Sequence, residues 1–137
     1  MECVSVRLDG RLYYPYDGVI LGATIDYDAF LQMFVLTIKL KVEGIPESET
    51  TITGYNGHRG FSVAEFFQFR VQSFLEALGV NSLEVLRKHA FRAYLLYSDG
   101  CDGPMPVAGY GMFDGSPPFT LLSTYDAFER RAARTPV

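Results

Sequence analysis

Tryptophan is absent from this chain of 137 residues, and cysteine and histidine occur only twice each. Cys3 and Cys101 are too few and too widely separated to form a disulfide framework. His58 and His89 show neither Cys-x-x-Cys nor His-x-x-x-His spacing, so no metal site is expected. A Gly-x-Ser-x-Gly elbow is missing, and neither cysteine stands in the sequence context of a cysteine-protease nucleophile. No catalytic residue and no cofactor are therefore expected, and the chain reads as a non-enzyme. Apolar runs stay short of the ~18 residues that a spanning helix needs. The start, Met1-Glu2-Cys3, lacks the basic region and apolar block of a signal peptide. A reduced, cytoplasmic protein without a membrane segment is the simplest expectation.

Charge is scarce as well. Charged residues make up 20% of the chain and the net charge is −4. A protein of that sign has no general attraction for phosphate backbones, so a nucleic-acid role would need a local basic patch. What the chain does have is apolar bulk: 48% hydrophobic residues, with 11 Phe and 9 Tyr. That composition opposes disorder, and a chain of this length buries roughly two-thirds of its unfolded surface in one core. A single domain over residues 1–137 is expected, with a hairpin addition at 1–18, a core at 19–119 and a helical tail at 120–137.

Asp-Gly occurs five times, at 9–10, 17–18, 99–100, 102–103 and 114–115, and each is a turn signal. Between these turns run short extended segments. Val4, Val6 and Leu8 alternate, and Asp9-Gly10 can close them into a hairpin with residues 11–14, which Pro15 ends. Val19, Leu21, Ala23, Ile25 and Tyr27 share one period-two face; Phe34, Leu36, Ile38, Leu40 and Val42 share another. Pairing Ile25 with Phe34 makes a second hairpin, whose tip at 28–31 lacks Asn-Gly chemistry and leaves the register open by two residues. Residues 50–55 are β-branched enough for a third strand, and 91–97 and 107–113 read as two more.

The long uninterrupted block is 61–89. Ser62 and Glu65 have capping-box spacing, Gly79 is a stop, and a short second helix follows with Leu83 and Leu86. Glu65, Gln68, Gln72 and Glu76 form one thin polar stripe, whereas Phe66, Phe67, Phe69, Val71, Phe74, Leu75 and Leu78 cover most of the remainder. This helix is expected to plug the core. Residues 124–134 suit a C-terminal helix with a basic end. The expected class is α+β: a curved antiparallel sheet, or an OB-like five-stranded barrel, with one main helical block between strands 3 and 4.

Candidate binding residues fall in several places. The loop 54–60 spaces Gly54, Gly57 and Gly60 by three, carries Tyr55, Asn56, His58 and Arg59, and runs into a helix N-terminus, where backbone N–H groups favour anions. A flexible strand-to-helix connector accounts for the same residues. Lys39 and Lys41 share the solvent face of a strand with Thr37; Arg87, Lys88 and Arg92 cluster after the helix; Tyr55, Tyr94 and Tyr110 are candidates to stack bases. Strand tyrosines more often pack against neighbours. Asp26 and Asp28 project from one strand face, where a solvated strand end is a simpler account than a cation site. Low charge density, many tyrosines and the loops 12–16 and 110–119 also suit a protein-binding surface.

The order of these pieces resembles a group of small bacteriophage and prophage proteins of unknown function. The resemblance rests on residues 25–42, the Gly-rich stretch 54–60, the aromatic helix ending Leu78-Gly79-Val80, the turn Ser82-Leu83-Glu84-Val85-Leu86 and the strand start Phe91-Arg92-Ala93. It covers roughly residues 20–119. Where the group tends to carry Gly-His and Trp-Phe, this chain has Gly109-Tyr110-Gly111 and no Trp. The group has no catalytic residues to carry over, so the resemblance implies no activity. It implies a phage setting, in which small acidic non-enzymes bind and block host defence components, CRISPR inhibitors among them. The expected function is therefore binding of a host protein in the host cytoplasm; the alternative is an OB-like single-stranded nucleic-acid-binding accessory protein.

Overall fold

Period-two alternation does produce strands, and a computed structural model shows how they join. It describes residues 5–8, 10–55, 62–96 and 107–134, with side chains as far as residue 130. In chain order these form β1 (Val6–Leu8), β2 (Arg11–Asp28), β3 (Met33–Val42), β4 (Ser48–Thr53), α1 (Val63–Ala77), a 3₁₀ turn (Glu84–Leu86), β5 (His89–Leu96), β6 (Val107–Gly111), β7 (Phe119–Thr120) and α2 (Leu121–Arg134). The strands make one 7-stranded antiparallel sheet in the order β4-β3-β2-β5-β6-β7, with β1 beside the start of β2. The sheet curls into a half-barrel with α1 on its inner face. The α+β class and the curled antiparallel sheet stand. The five-stranded OB-like barrel does not: there are more strands, the helix follows the fourth, and among the described residues β4 and β7 end the strand order.

Two expected strands are in fact one. β2 runs 18 residues through Pro15 and Gly18, because β5 pairs along it from Tyr13 to Ile20. Pro15 sits between the last β1 partner, Tyr13, and the first β3 partner, Gly18, so among the described residues one flank there has no strand beside it, an edge-like setting that tolerates proline. The N-terminal hairpin is thus continuous with the core strand. Gly10 at φ +75° turns the chain between the paired Leu8 and Arg11.

Register departs from expectation in two instructive ways. Ile25 faces Leu36, and Tyr27 faces Phe34. That is a two-residue slide, which keeps every side chain on its face. The bulge between Ile20 and Gly22 does the opposite. Ile20 becomes fully buried and Val19 turns outward, whereas Ala23, Ile25 and Tyr27 stay on the inner face.

The inner face carries the core: Leu36, Ile38, Leu40 and Val42 from β3, Phe91, Ala93 and Leu95 from β5, and Tyr110 and Phe119 from the far side. α1 lays Phe74 and Leu78 onto them. Ser62 caps α1 by accepting the Glu65 N–H at 3.3 Å. At the other end Gly79 takes φ +70°, and the Val80 N–H bonds the Leu75 carbonyl at 3.1 Å, a Schellman closure. The helix therefore stops at Ala77, and His89, expected as the end of the helical block, opens β5 instead. α2 begins earlier than expected because Thr120 and Ser123 cap each other: Thr120 Oγ1 accepts the Ser123 N–H and Ser123 Oγ accepts the Thr120 N–H.

Candidate functional site

Among the described residues, those singled out in the sequence do not converge. Asn56, His58 and Arg59 lie outside the described residues, so the Gly-rich loop is known here only by its first members. Gly54 presses against α1 so closely that an added Cβ would stand 2.0 Å from the Val63 carbonyl oxygen. Tyr55 next to it is exposed.

Tyr110 is in the core, 2% exposed, not on a binding face. Its ring stacks on Phe91 at 5.6 Å and meets Phe74 edge-on at 5.1 Å, and its hydroxyl shares a hydrogen bond with Thr50. Burial raises the phenol pKa to about 12, against the opposing pull of that hydrogen bond. Tyr94 is buried as well, lying over Gly109 and Gly111 of β6, where any Cβ would meet its atoms at 2.9 and 3.3 Å. The Gly-Tyr-Gly pattern thus serves packing on both faces of β6.

Lys39 and Lys41 do share an exposed outer face of β3. Lys39 stands directly across from Glu49, however, and the Lys41 ammonium donates to the carbonyls of Val42 and Ile45 at the strand end. Arg92, on β5 opposite Asp17, lies over the Phe113 ring at 5.4 Å. Asp26 accepts from the Thr24 hydroxyl at 3.1 Å, and Asp28 accepts the Leu31 N–H at 2.9 Å, closing the turn. Among the described residues no three His, Cys, Asp or Glu side chains converge on a point where a cation could sit.

A buried arginine that sequence patterning passed over turns out to be structural. Arg70 donates to the Thr53 carbonyl at 3.0 Å, the Leu121 carbonyl at 3.1 Å and the Thr124 hydroxyl at 3.2 Å, and lies 4.1 Å over the Phe66 ring. It ties α1 to β4 and α2. Desolvation lowers its pKa to about 10, so it remains charged at neutral pH. A groove of ≈ 670 Å³ opens between α1, α2 and β1, lined by Arg7, Phe69, Glu76, Met112, Ser123 and Arg130, a mixture that focuses no one chemistry.

The surface that stands out is the β2–β3 hairpin end. Past Ile20, β2 has lost β5 and among the described residues keeps β3 as its one strand partner, so the hairpin projects beyond the covered sheet. Its apolar side chains are exposed: Ile25 41%, Tyr27 57%, Leu31 45%, Phe34 56% and Phe30 93%. Tyr27 and Phe34 pack edge-to-face at 5.4 Å on the inner face, beyond the part that α1 covers. The four-residue turn is closed by Gln32 at φ +56°. The signal was present in the sequence as Ala29-Phe30-Leu31, apolar residues at a turn where polar ones belong.

No protein-family model matches this chain, and no curated protein or solved structure matches it significantly. Among the described residues no helix is long and apolar enough to cross a membrane.

Proposed function

We propose that this is a non-enzymatic binding protein that works by protein–protein contact through the β2–β3 hairpin end, in the phage setting that the sequence resemblance suggests. Its target there is a component of host antiviral defence, such as a CRISPR effector, in the host cytoplasm. The supporting observation is the exposure of Ile25, Tyr27, Phe30, Leu31 and Phe34 on one projecting element. Aromatic side chains presented together, with little entropy to lose, are what binding hot spots are made of. Contiguous apolar surface is otherwise a solubility liability, which argues that it is covered in use.

The nucleic-acid alternative has less support. Of the three tyrosines put forward for stacking, Tyr94 and Tyr110 are buried and only Tyr55 is exposed.

The test is affinity capture from a lysate of a bacterium carrying an active CRISPR system, with the wild-type chain and Phe30→Ser side by side. A defence protein retained by the wild type and lost with the variant is the expected result, accompanied by restored plating of a targeted phage. Capture that ignores the substitution, or no defence protein at all, sinks the reading.

A further inference from the structure

Resting on that reading, we propose how the hairpin holds its partner: the free edge of β2 at 24–28 takes up an extended partner segment as an added strand, and that segment alternates apolar residues with Lys or Arg. β5 stops pairing with β2 at Ile20, and the 3₁₀ turn packs next to β2. From Thr24 to Tyr27 the strand is exposed, while its other side stays paired with β3 through Met33. One row of backbone N–H and C=O groups there has no strand partner among the described residues, a template for strand addition.

The two faces of this stretch specify the occupant. On the inner face Ile25 and Tyr27, with Phe34 beside them, offer apolar contact to every second residue of an added strand. On the outer face stand Thr24, Asp26 and Asp28. Thr24 and Leu31 each occupy one carboxylate oxygen, Asp26 Oδ2 and Asp28 Oδ1, leaving the other oxygen of each to accept. Directly opposed side chains in an antiparallel pair come within ~5 Å, so a Lys or Arg at the facing positions meets a carboxylate. A second copy of this chain fits poorly: residues 21–28 hold two Asp and no Lys or Arg, so self-pairing gathers four carboxylates on one face. The same carboxylates oppose a nucleic acid or an anionic lipid surface.

Fluorescence anisotropy with the full chain tests this, using an end-capped, labelled peptide Lys-Val-Lys-Val-Lys-Val-Lys. Two controls accompany it: the same peptide with alternate backbone nitrogens methylated on either edge, and its Glu-for-Lys counterpart. The Lys peptide should bind; methylation on the pairing edge should weaken it about tenfold or more, as loss of several backbone hydrogen bonds requires. The Glu peptide should bind only to Asp26→Lys. Equal binding of all methylated forms overturns strand addition. Sedimentation showing a dimer that Ile25→Lys dissociates overturns the choice of occupant. If the Lys peptide fails to bind while Phe30-dependent capture of a defence protein persists, the strand proposal falls and the binding reading survives; loss of that capture is what removes the reading itself.

Discussion

Thr50 and Tyr110 share a side-chain hydrogen bond although they lie 60 residues apart and sit on strands separated in the sheet by β3, β2 and β5. Only a strongly curled sheet brings β4 and β6 that close across the inner face. The bond marks where the half-barrel nearly meets itself, over the aromatic cluster of Phe74, Phe91 and Phe119.

Removing it should show as an energetic coupling between the two ends of the sheet. Tyr110→Phe deletes the phenol hydroxyl and should lower unfolding stability by ~1 kcal/mol, whereas Thr50→Val strands a buried phenol and should cost ~1–3 kcal/mol. The double variant should lose less than the sum of the two, measured by urea unfolding. Strict additivity counts against a direct bond.

The same pair sets an alkaline limit. The folded-state phenol pKa of about 12 lies above its ordinary 10.0, so the native state keeps this proton when the unfolded chain has lost it. Stability is therefore complete below pH 10 and falls as pH rises towards 12, by roughly 2–3 kcal/mol at the upper end. Tyr110→Phe lacks this slope. The wild type should be the more stable of the two at pH 9 and the less stable near pH 12. Parallel unfolding curves across that range contradict the assignment.

Arg70 is the corresponding joint between the helices and the sheet edge. Arg70→Met leaves the Thr53 and Leu121 carbonyls and the Thr124 hydroxyl without their donor, and should destabilise by ~2–4 kcal/mol. Arg70→Lys should recover little of that, because one ammonium cannot reach three acceptors spread over α2 and β4. Thermal unfolding of the three proteins reads this out.

How far the sequence could be read is clear from these places. The stripe of Glu65, Gln68, Gln72 and Glu76 was legible, since period 3.6 in polar residues is set locally, and all four are exposed. Arg70 was not, because a single Arg among Phe residues looks like surface until three acceptors from distant segments surround it. β2's passage through Pro15 was hidden for a related reason: pairing with β5, more than 70 residues later, overrides the local breaker. The bulge at Leu21 reversed Val19 and Ile20, and nothing in a period-two count announces an inserted residue. At the candidate site, the alternation of Ala23, Ile25 and Tyr27 was visible, but their exposure depends on where β5 and α1 end.

Gly54 is a point where the fold tolerates no side chain at all. The obstacle to a Cβ is the Val63 carbonyl of α1, backbone that cannot rotate away, with Phe67 atoms at 2.9 Å behind it. Gly54→Ala should destabilise at or above the upper end of the ~1–3 kcal/mol expected for overpacking. Gly44→Ala is the informative comparison: its φ of +80° strains the backbone, yet nothing lies within 4 Å of the new methyl, so its loss should stay near ~1 kcal/mol. Chemical denaturation of both should rank them in that order.

The hairpin end should separate binding from stability. Phe30 is 93% exposed, so Phe30→Ser removes no core contact and should shift unfolding stability by no more than ~0.5 kcal/mol. Phe34→Ser differs: it also loses the edge-to-face contact with Tyr27 and should cost ~0.5–1.5 kcal/mol more. For affinity the ranking changes. Burying one Phe in an interface is worth ~1.5–3 kcal/mol, a factor of roughly ten to a hundred and fifty in Kd. Both substitutions should therefore weaken partner binding tenfold or more, although only one of them touches the fold. Titration calorimetry against the captured partner, read beside thermal melts of the same samples, checks both halves. A Phe30→Ser protein that binds as the wild type does would sink the hairpin-end reading, because no loss of folding could be hiding its contribution.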